Sequence, residues 1–234
     1  MVYNWRTIVQ EWLLPSYCLL CGQAGEDQLD LCRACRNDLF LLKNTCERCA
    51  LPLQGNHASG ICGACLKRPP HYDSAFSLYH YQQPASHLIH GLKFGGHLRN
   101  ARLLGTLLAR ELLAQSVEMP EAILPVPLHA RRLRERGFNQ SIELARPASR
   151  AFGLPLVRDL VKRSRPTSPQ TALDIKQRRQ NLRNAFVVDG KIPYSHIAIL
   201  DDVVTTGSTV NELAKVLRRS GVQTIQVWSI ARAV

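Results

Sequence analysis

Short unbroken apolar runs alternate with longer stretches of helical spacing along most of this chain, and the alternation outlines its elements. Residues 122–127, 185–188 and 197–200 are compact apolar runs, and 224–230 reads as a further strand in which Ile225, Val227, Trp228 and Ile230 alternate with polar positions or adjoin them. Runs of this length between polar or turn-forming residues predict buried strands. Residues 73–81 read as one more strand. Val210, Leu213, Ala214, Val216 and Leu217 recur at helical spacing over 210–220, and 85–115 reads as two helical stretches broken near Gly95-Gly96. Strands alternating with helices predict an α/β fold, a parallel sheet flanked by helices, over residues 74–234. Ligands of such sheets sit at the carboxyl ends of the strands.

The first quarter follows a different pattern. Trp5, Ile8, Val9, Trp12 and Leu13 form an apolar helical stripe ending at Pro15, so residues 1–17 are expected to form a packing helix. The stripe is too short to cross a bilayer and lacks a signal-peptide profile, so no membrane span is expected. Residues 18–66 hold all eight cysteines as four Cys-x-x-Cys pairs: Cys18/Cys21, Cys32/Cys35, Cys46/Cys49 and Cys62/Cys65. A two-residue gap lets both sulfurs bend around one ion, and two such pairs complete a tetrahedral four-thiolate zinc shell. One pair alone could be a redox motif. Four pairs predict a small double zinc ribbon-like domain with two structural ions, because complete shells leave no open catalytic position. So short a segment also has little core without metal.

The inserts between pairs are ten, ten and twelve residues long. They fit sequential pairing, with Cys18, Cys21, Cys32 and Cys35 as one site and Cys46, Cys49, Cys62 and Cys65 as the other. Interleaved pairing, as in cross-brace folds, stays open, although the internal echo of two similar halves favours the sequential arrangement. His57, in the last insert, is expected at the surface. Lys67-Arg68-Pro69-Pro70 opens a linker over 67–73.

Chemistry concentrates in residues 197–209, Ile-Ala-Ile-Leu-Asp-Asp-Val-Val-Thr-Thr-Gly-Ser-Thr. An apolar strand leads to two carboxylates, then to a small-residue loop that opens the helix at 210–220. Such a loop offers backbone amides and the positive end of a helix dipole to an anion. Gly207 allows close approach, and the hydroxyls of Ser208 and Thr209 can donate to phosphate oxygens. No Gly-x-x-x-x-Gly-Lys-Ser/Thr pattern is present. Carboxylates repel phosphate but accept hydrogen bonds from vicinal hydroxyls, so a ribose 5-phosphate matches both halves of the element.

Two basic segments add to it. Pro125-Val126-Pro127-Leu128 leads into Arg131, Arg132, Arg134 and Arg136, followed by Gly137-Phe138-Asn139-Gln140. Four arginines in six residues make a dense cationic surface suited to phosphate recognition. Residues 162–186 begin as a proline-containing basic loop with Arg163 and Arg165 and continue through Lys176, Arg178, Arg179 and Arg183. Lys93, in Gly-Leu-Lys-Phe-Gly-Gly, is a further cationic candidate. The formal charge is +12; eight thiolates with two zinc ions lower it to about +8, which still favours polyanionic ligands. Aromatic residues are few in the basic stretches, so a stacking platform for single-stranded nucleic acid is not evident. None of the eight histidines sits in an obvious general-base arrangement.

Residues 201–209 closely resemble the phosphoribosyl pyrophosphate signature of type I phosphoribosyltransferases. The resemblance implies that Asp201 and Asp202 hold the ribose hydroxyls. It implies that Thr205, Thr206, Gly207, Ser208 and Thr209 hold the 5-phosphate. It also implies Mg²⁺ carried mainly by the substrate's pyrophosphate and hydroxyls, with Arg131 and Arg165 near the leaving pyrophosphate. Asp201, Asp202 and Arg165 are the expected catalytic residues. Purine-salvage relatives often carry an aspartate where Thr205 stands, which makes a purine-salvage role less expected here.

The whole order of motifs is similar to the ComF family: cysteine pairs, Lys-Phe-x-Gly, Pro-Val-Pro-Leu, Arg-Gly-Phe-Asn-Gln and the acid-pair loop. That resemblance runs from about Cys18 to the carboxyl terminus. It implies a cytoplasmic, Mg²⁺-dependent phosphoribosyltransferase-like protein linked to DNA uptake and natural transformation, with an unnamed acceptor. Single-stranded DNA and proteins of the competence machinery are the macromolecular partners it implies. The alternative is a non-catalytic competence factor that senses a metabolite or binds single-stranded DNA or protein.

Overall fold

The computed structural model describes residues 16–55, 60–115, 117–164 and 185–234. The expected helix over 1–17 lies almost wholly outside them, as do His57 and Arg165.

Four strands form the central sheet: β1 (Ser74–His80), β2 (Ala122–Pro125), β5 (His196–Val204) and β6 (Thr224–Arg232). Their order is β1-β6-β5-β2, and every neighbouring pair is parallel. Alternate residues face opposite layers, and both layers are buried. Ile123, Ala198, Leu200, Trp228 and Ile230 join one core with α3 (Ala85–Gly95), α4 (Leu98–Ala114) and α6 (Gln140–Phe152). Leu124, Ile197, Ile199, Ile225 and Val227 join the other, with Leu213 and Leu217 of α7 (Ser208–Arg219). Burial on both faces is why β2 and the first half of β5 read as continuous apolar runs rather than alternating ones. Gly96, left-handed at φ 66°, caps α3 and makes the expected break before α4.

Two features differ from the sequence reading. The run at 185–188 does not join the parallel sheet. It is β4 (Phe186–Val188), paired antiparallel with β3 (Val161–Arg163) in a separate two-stranded sheet. Lys162 and Arg163 therefore lie on a strand, where a loop was expected. β5 also does not stop at Leu200. Asp201 continues the ladder opposite Ser229, and Val203 and Val204 stand opposite Ala231 and Arg232. The backbone ladder is indifferent to the side chains it carries, so polar residues can continue a strand that an apolar count ends early.

The cysteines form two clusters, Cys18, Cys21, Cys32 and Cys35, and Cys46, Cys49, Cys62 and Cys65, with the sulfurs of each within 4.8 Å of one another. The pairing is sequential. Tetrahedral zinc with bonds of about 2.3 Å spaces its sulfurs about 3.8 Å apart; Cys21 to Cys32 and Cys49 to Cys62 both measure 3.7 Å. These are two zinc-binding sites with complete thiolate shells. Short helices α1 (Arg33–Asn37) and α2 (Gly63–Lys67) follow the second and fourth pairs' first cysteines.

The cysteine module is packed on the sheet domain. Leu29, Leu31 and Leu39 join the core of α3 and α4. Arg110 of α4 donates to the Asp27 carbonyl at 2.8 Å, and the amides of Leu42 and His80 bond to the carbonyls of Leu78 and Phe40. Among the described residues, no helix is long and apolar enough to cross a membrane.

One close approach holds the helical layer together. A Cβ on Gly105 of α4 would stand 2.3 Å from the Leu144 carbonyl oxygen and 2.9 Å from the Pro147 ring of α6. Neither backbone nor ring can yield without separating the helices. Gly105→Ala is therefore expected to destabilise the protein by about 1–3 kcal/mol, read as a lowered midpoint in urea unfolding at unchanged slope.

Candidate functional site

Parallel strands bring their carboxyl ends to one edge of the sheet, and most of the described candidate residues gather there, while Arg165 lies outside the described residues. β2 ends at Pro125, on the sheet's outer edge, where a residue without an amide proton is tolerated. The chain then turns through Val126 into α5 (Ala130–Arg136), which Gly137 ends at φ 79°. Asn139 fixes the next turn. Its side chain donates to the Val126 carbonyl at 3.0 Å and accepts from the Ser141 amide at 2.9 Å, capping α6. The Pro-Val-Pro and Gly-Phe-Asn-Gln segments are thus the two sides of one turn above β5.

Asp201 and Asp202 sit near the end of β5, Asp202 buried and Asp201 facing the cavity. The Lys93 ammonium from α3 lies against the Asp202 carboxylate. Asp201 accepts from the Ser141 hydroxyl at 3.3 Å and from the Asp202 amide at 2.9 Å. Burial pushes the Asp201 carboxyl up to about 6; the positive charge of Lys93, the Ser141 hydroxyl and Arg163 hold it from rising further. Burial likewise pulls the Lys93 ammonium down to about 8, against the opposing pull of Asp201.

Beyond Val204 the chain makes a tight loop, Thr205-Thr206-Gly207, into α7. Gly207 is the helix cap at φ 72°, a left-handed conformation that glycine adopts without the usual Cβ penalty. Thr206 and Ser208 share a hydroxyl hydrogen bond of 2.8 Å, and the Ser208 amide donates to the Thr206 hydroxyl at 3.3 Å. The first turn of α7 carries no acidic side chain, so the positive end of its dipole faces the cavity uncompensated.

The cavity between these elements measures about 1160 Å³. That exceeds the ~300–1,000 Å³ of ordinary small-molecule pockets and leaves room for more than one reactant. It is lined by Lys93, Asp201 and Asp202, by Thr205, Gly207, Ser208 and Thr209 of the loop, and by Arg131, Arg132, Arg136 and Arg163. An anion-seeking loop, arginines and two carboxylates in one cavity suit a ligand that carries both hydroxyls and anionic groups.

Of the sequence candidates, Asp201, Asp202, Thr205, Gly207, Ser208, Thr209 and Arg131 all line this cavity. Thr206 supports the loop from behind through its hydroxyl. Arg131 is mostly exposed and paired with Glu135 at 2.8 Å, so it stands at the mouth rather than over the carboxylates. Lys93 was a minor cationic candidate in the sequence, yet its ammonium pairs with Asp202. Ser141 and the Arg136–Gln140 hydrogen bond, 2.5 Å long, had no sequence signal of their own beyond following the Gly-Phe motif.

The fold and site define a class: a double zinc module joined to a parallel α/β domain with an acid pair and an anion-type loop at one strand end. Residues 9–66 match the double zinc ribbon domain family. The chain is 40% identical over 221 residues to Competence protein F of Haemophilus influenzae, covering 86% of this chain and 96% of that one. It is 37% identical over 226 residues to the DNA utilization protein YhgH of Escherichia coli, covering 94% and 99%. Competence protein ComFC of Streptococcus pneumoniae is 25% identical over 236 residues, covering 92% and 99%. The chain belongs to the ComF family. A solved Trypanosoma cruzi hypoxanthine phosphoribosyl transferase overlaps 62% of this chain and 64% of its own at 13% identity, with a TM-score of 0.31; an overlap that low carries no weight.

The raised carboxyl has a consequence for stability. The folded-state value of about 6 lies above the ordinary 3.8, so the unfolded chain releases this proton first and is favoured as pH rises through that window. Asp201→Asn is therefore expected to raise the melting temperature of the ligand-free protein at pH 7.5 and to leave it little changed at pH 4. Carboxyl carbon NMR should find Asp201 titrating near 6, and Lys93→Met should move that midpoint upward.

Proposed function

We propose that this protein binds phosphoribosyl pyrophosphate at the carboxyl edge of its sheet and transfers the phosphoribosyl group to an acceptor. The 5-phosphate rests on the loop of Thr205, Thr206, Gly207, Ser208 and Thr209 at the start of α7. Asp201 and Asp202 accept hydrogen bonds from the ribose hydroxyls. The pyrophosphate extends toward Arg131, Arg132 and Arg163, and Arg165 carries the same expectation. The observation that supports this reading best is that the acid pair, the loop and the arginines line one cavity.

The transfer breaks the bond between C1 and the pyrophosphate oxygen, and the electron pair leaves with pyrophosphate. A lone pair of the acceptor forms the new bond to C1. Positive charge develops on the ribose ring in between, and carboxylates beneath it stabilise that charge. Mg²⁺ bound with the substrate neutralises the leaving pyrophosphate; it needs few protein ligands. Threonine at 205 does not act as a base near neutral pH, so it does not take a proton from the acceptor. By kinship with proteins named for competence and DNA utilization, the transfer serves the handling of incoming DNA.

Calorimetric titration with phosphoribosyl pyrophosphate and Mg²⁺ tests the reading. Saturable one-to-one binding is expected, weakened about 100-fold or more in an Asp201→Asn, Asp202→Asn double variant, since each lost charge-assisted hydrogen bond contributes about 1.5–3 kcal/mol. Affinity should also fall as pH drops through about 6, because a protonated Asp201 is a poorer acceptor for the diol. No heat from a folded wild type would refute substrate binding. Binding without pyrophosphate release from any acceptor in a broad screen would replace transferase with sensor.

A further inference from the structure

Arg232 closes β6 at the same edge of the sheet, and it faces neither solvent nor the cavity. It is 7% exposed, and among the described residues its hydrogen bonds go to backbone carbonyls. Its Nε donates to the Cys49 carbonyl at 3.0 Å. Its Nη1 reaches the carbonyls of Val204, at 3.0 Å, and of Thr205, where the acid strand passes into the anion loop. It also reaches the Ala233 carbonyl at 2.6 Å. One planar guanidinium thus spans from a zinc-ligating residue to the first residues of the loop.

Two other contacts run in parallel. Tyr72 is buried, and its hydroxyl lies 3.4 Å from where a Cβ on Gly207 would stand. The linker after Cys65 is clamped to α7: the His71 amide donates to the Asn211 side chain at 2.8 Å, and Arg218 pairs with Asp73 at 2.5 Å. The first cysteine site has a different neighbourhood, bonding to α4 through Asp27 and Asp30.

The second site's knuckle has a strained link. Ala50, directly after Cys49, is buried with φ at 53°. A left-handed alanine is disfavoured and persists only where its surroundings impose it. Here the Ala50 and Cys46 amides close the knuckle on Cys46 and Leu51, and four sulfurs drawn onto one ion would hold it shut. Without the ion the site would keep its backbone bonds and the Cys62 amide on the Cys46 sulfur at 3.2 Å, but Ala50 would be free to relax and carry the Cys49 carbonyl away from Arg232.

We propose that Arg232 is a positioning residue that makes the geometry of the 204–209 loop depend on zinc in the second site, Cys46, Cys49, Cys62 and Cys65, and not on zinc in the first. What the loop binds rests on the function proposed above; the strut itself does not. Occupancy of one structural site then sets whether the anion loop is formed, and by reciprocity a ligand on the loop retains that zinc.

Hydrogen exchange of peptides covering 204–209 tests the strut without any ligand, using full-length protein. Cys62→Ser, which opens the second site, is expected to speed exchange there about tenfold or more, the effect of losing one charge-assisted hydrogen bond. Cys32→Ser, which opens the first, should leave it within about twofold. Arg232→Met should match Cys62→Ser while metal analysis still finds both zinc ions. Equal effects of the two cysteine variants, or no effect of either, would overturn the proposal even if Arg232→Met does not fold. In a second arm, phosphoribosyl pyrophosphate with Mg²⁺ should slow alkylation of Cys46, Cys49, Cys62 and Cys65 on chelator treatment, but not of the other four. Calorimetry on the same wild-type sample shows separately whether the ligand binds, so failure of the substrate reading and failure of the strut are told apart.

Discussion

Burying two adjacent carboxylates at the end of a central strand is the constraint around which this site is arranged. A buried carboxylate costs several kcal/mol unless charge or hydrogen bonds compensate it. Asp202 meets that demand with Lys93, supplied by α3. Asp201 meets it only in part, through Ser141, the nearby lysine and Arg163, and its carboxyl stays near 6. The turn that presents Ser141 is fixed by Asn139, which ties α6 back to the end of β2. α3, α6 and β3, through Lys93, Ser141 and Arg163, therefore converge on one pair of acids. An incompletely compensated carboxylate is also one prepared to accept from a ligand's hydroxyl groups.

The zinc module supplies a second kind of order. Its own apolar interior is small, and the second cluster is little more than cysteines with Leu51, Leu53 and Ile61 around them. Metal must therefore do for this segment what a hydrophobic core does for the sheet domain. The two sites serve different neighbours, the first seated on α4 and the second against β6, the linker and the anion loop. That division gives two chemically identical shells distinct places in the molecule.

Much of this was legible in the sequence where the signal was local. The acid pair and its loop are contiguous, so strand, carboxylates, glycine and helix start could be read in order. Cysteine spacing carried the zinc sites, but inserts of ten, ten and twelve residues left the pairing open, and the structure shows it to be sequential. Contacts made across the fold left little or no trace. Lys93 meets Asp202 only because α3 packs over β5, and nothing local to Gly-Leu-Lys-Phe-Gly-Gly specifies that. Arg232 ends an ordinary strand, and its carbonyl partners are backbone atoms that any sequence would offer. The β3–β4 pair misled for the opposite reason: a short apolar run looks the same whether it joins the main sheet or a hairpin beside it.

The central claim is that the amides opening α7 hold a phosphate while the adjoining acids face a sugar. Amide NMR titration with ribose 5-phosphate tests it most directly, because that ligand carries both groups and no pyrophosphate. The account predicts saturable shifts at 205–209, accompanied by perturbation of the Asp201 and Asp202 amides. Shifts confined to the arginine helix at 131–136, or none at saturating ligand, would contradict it and leave the cavity a general anion site.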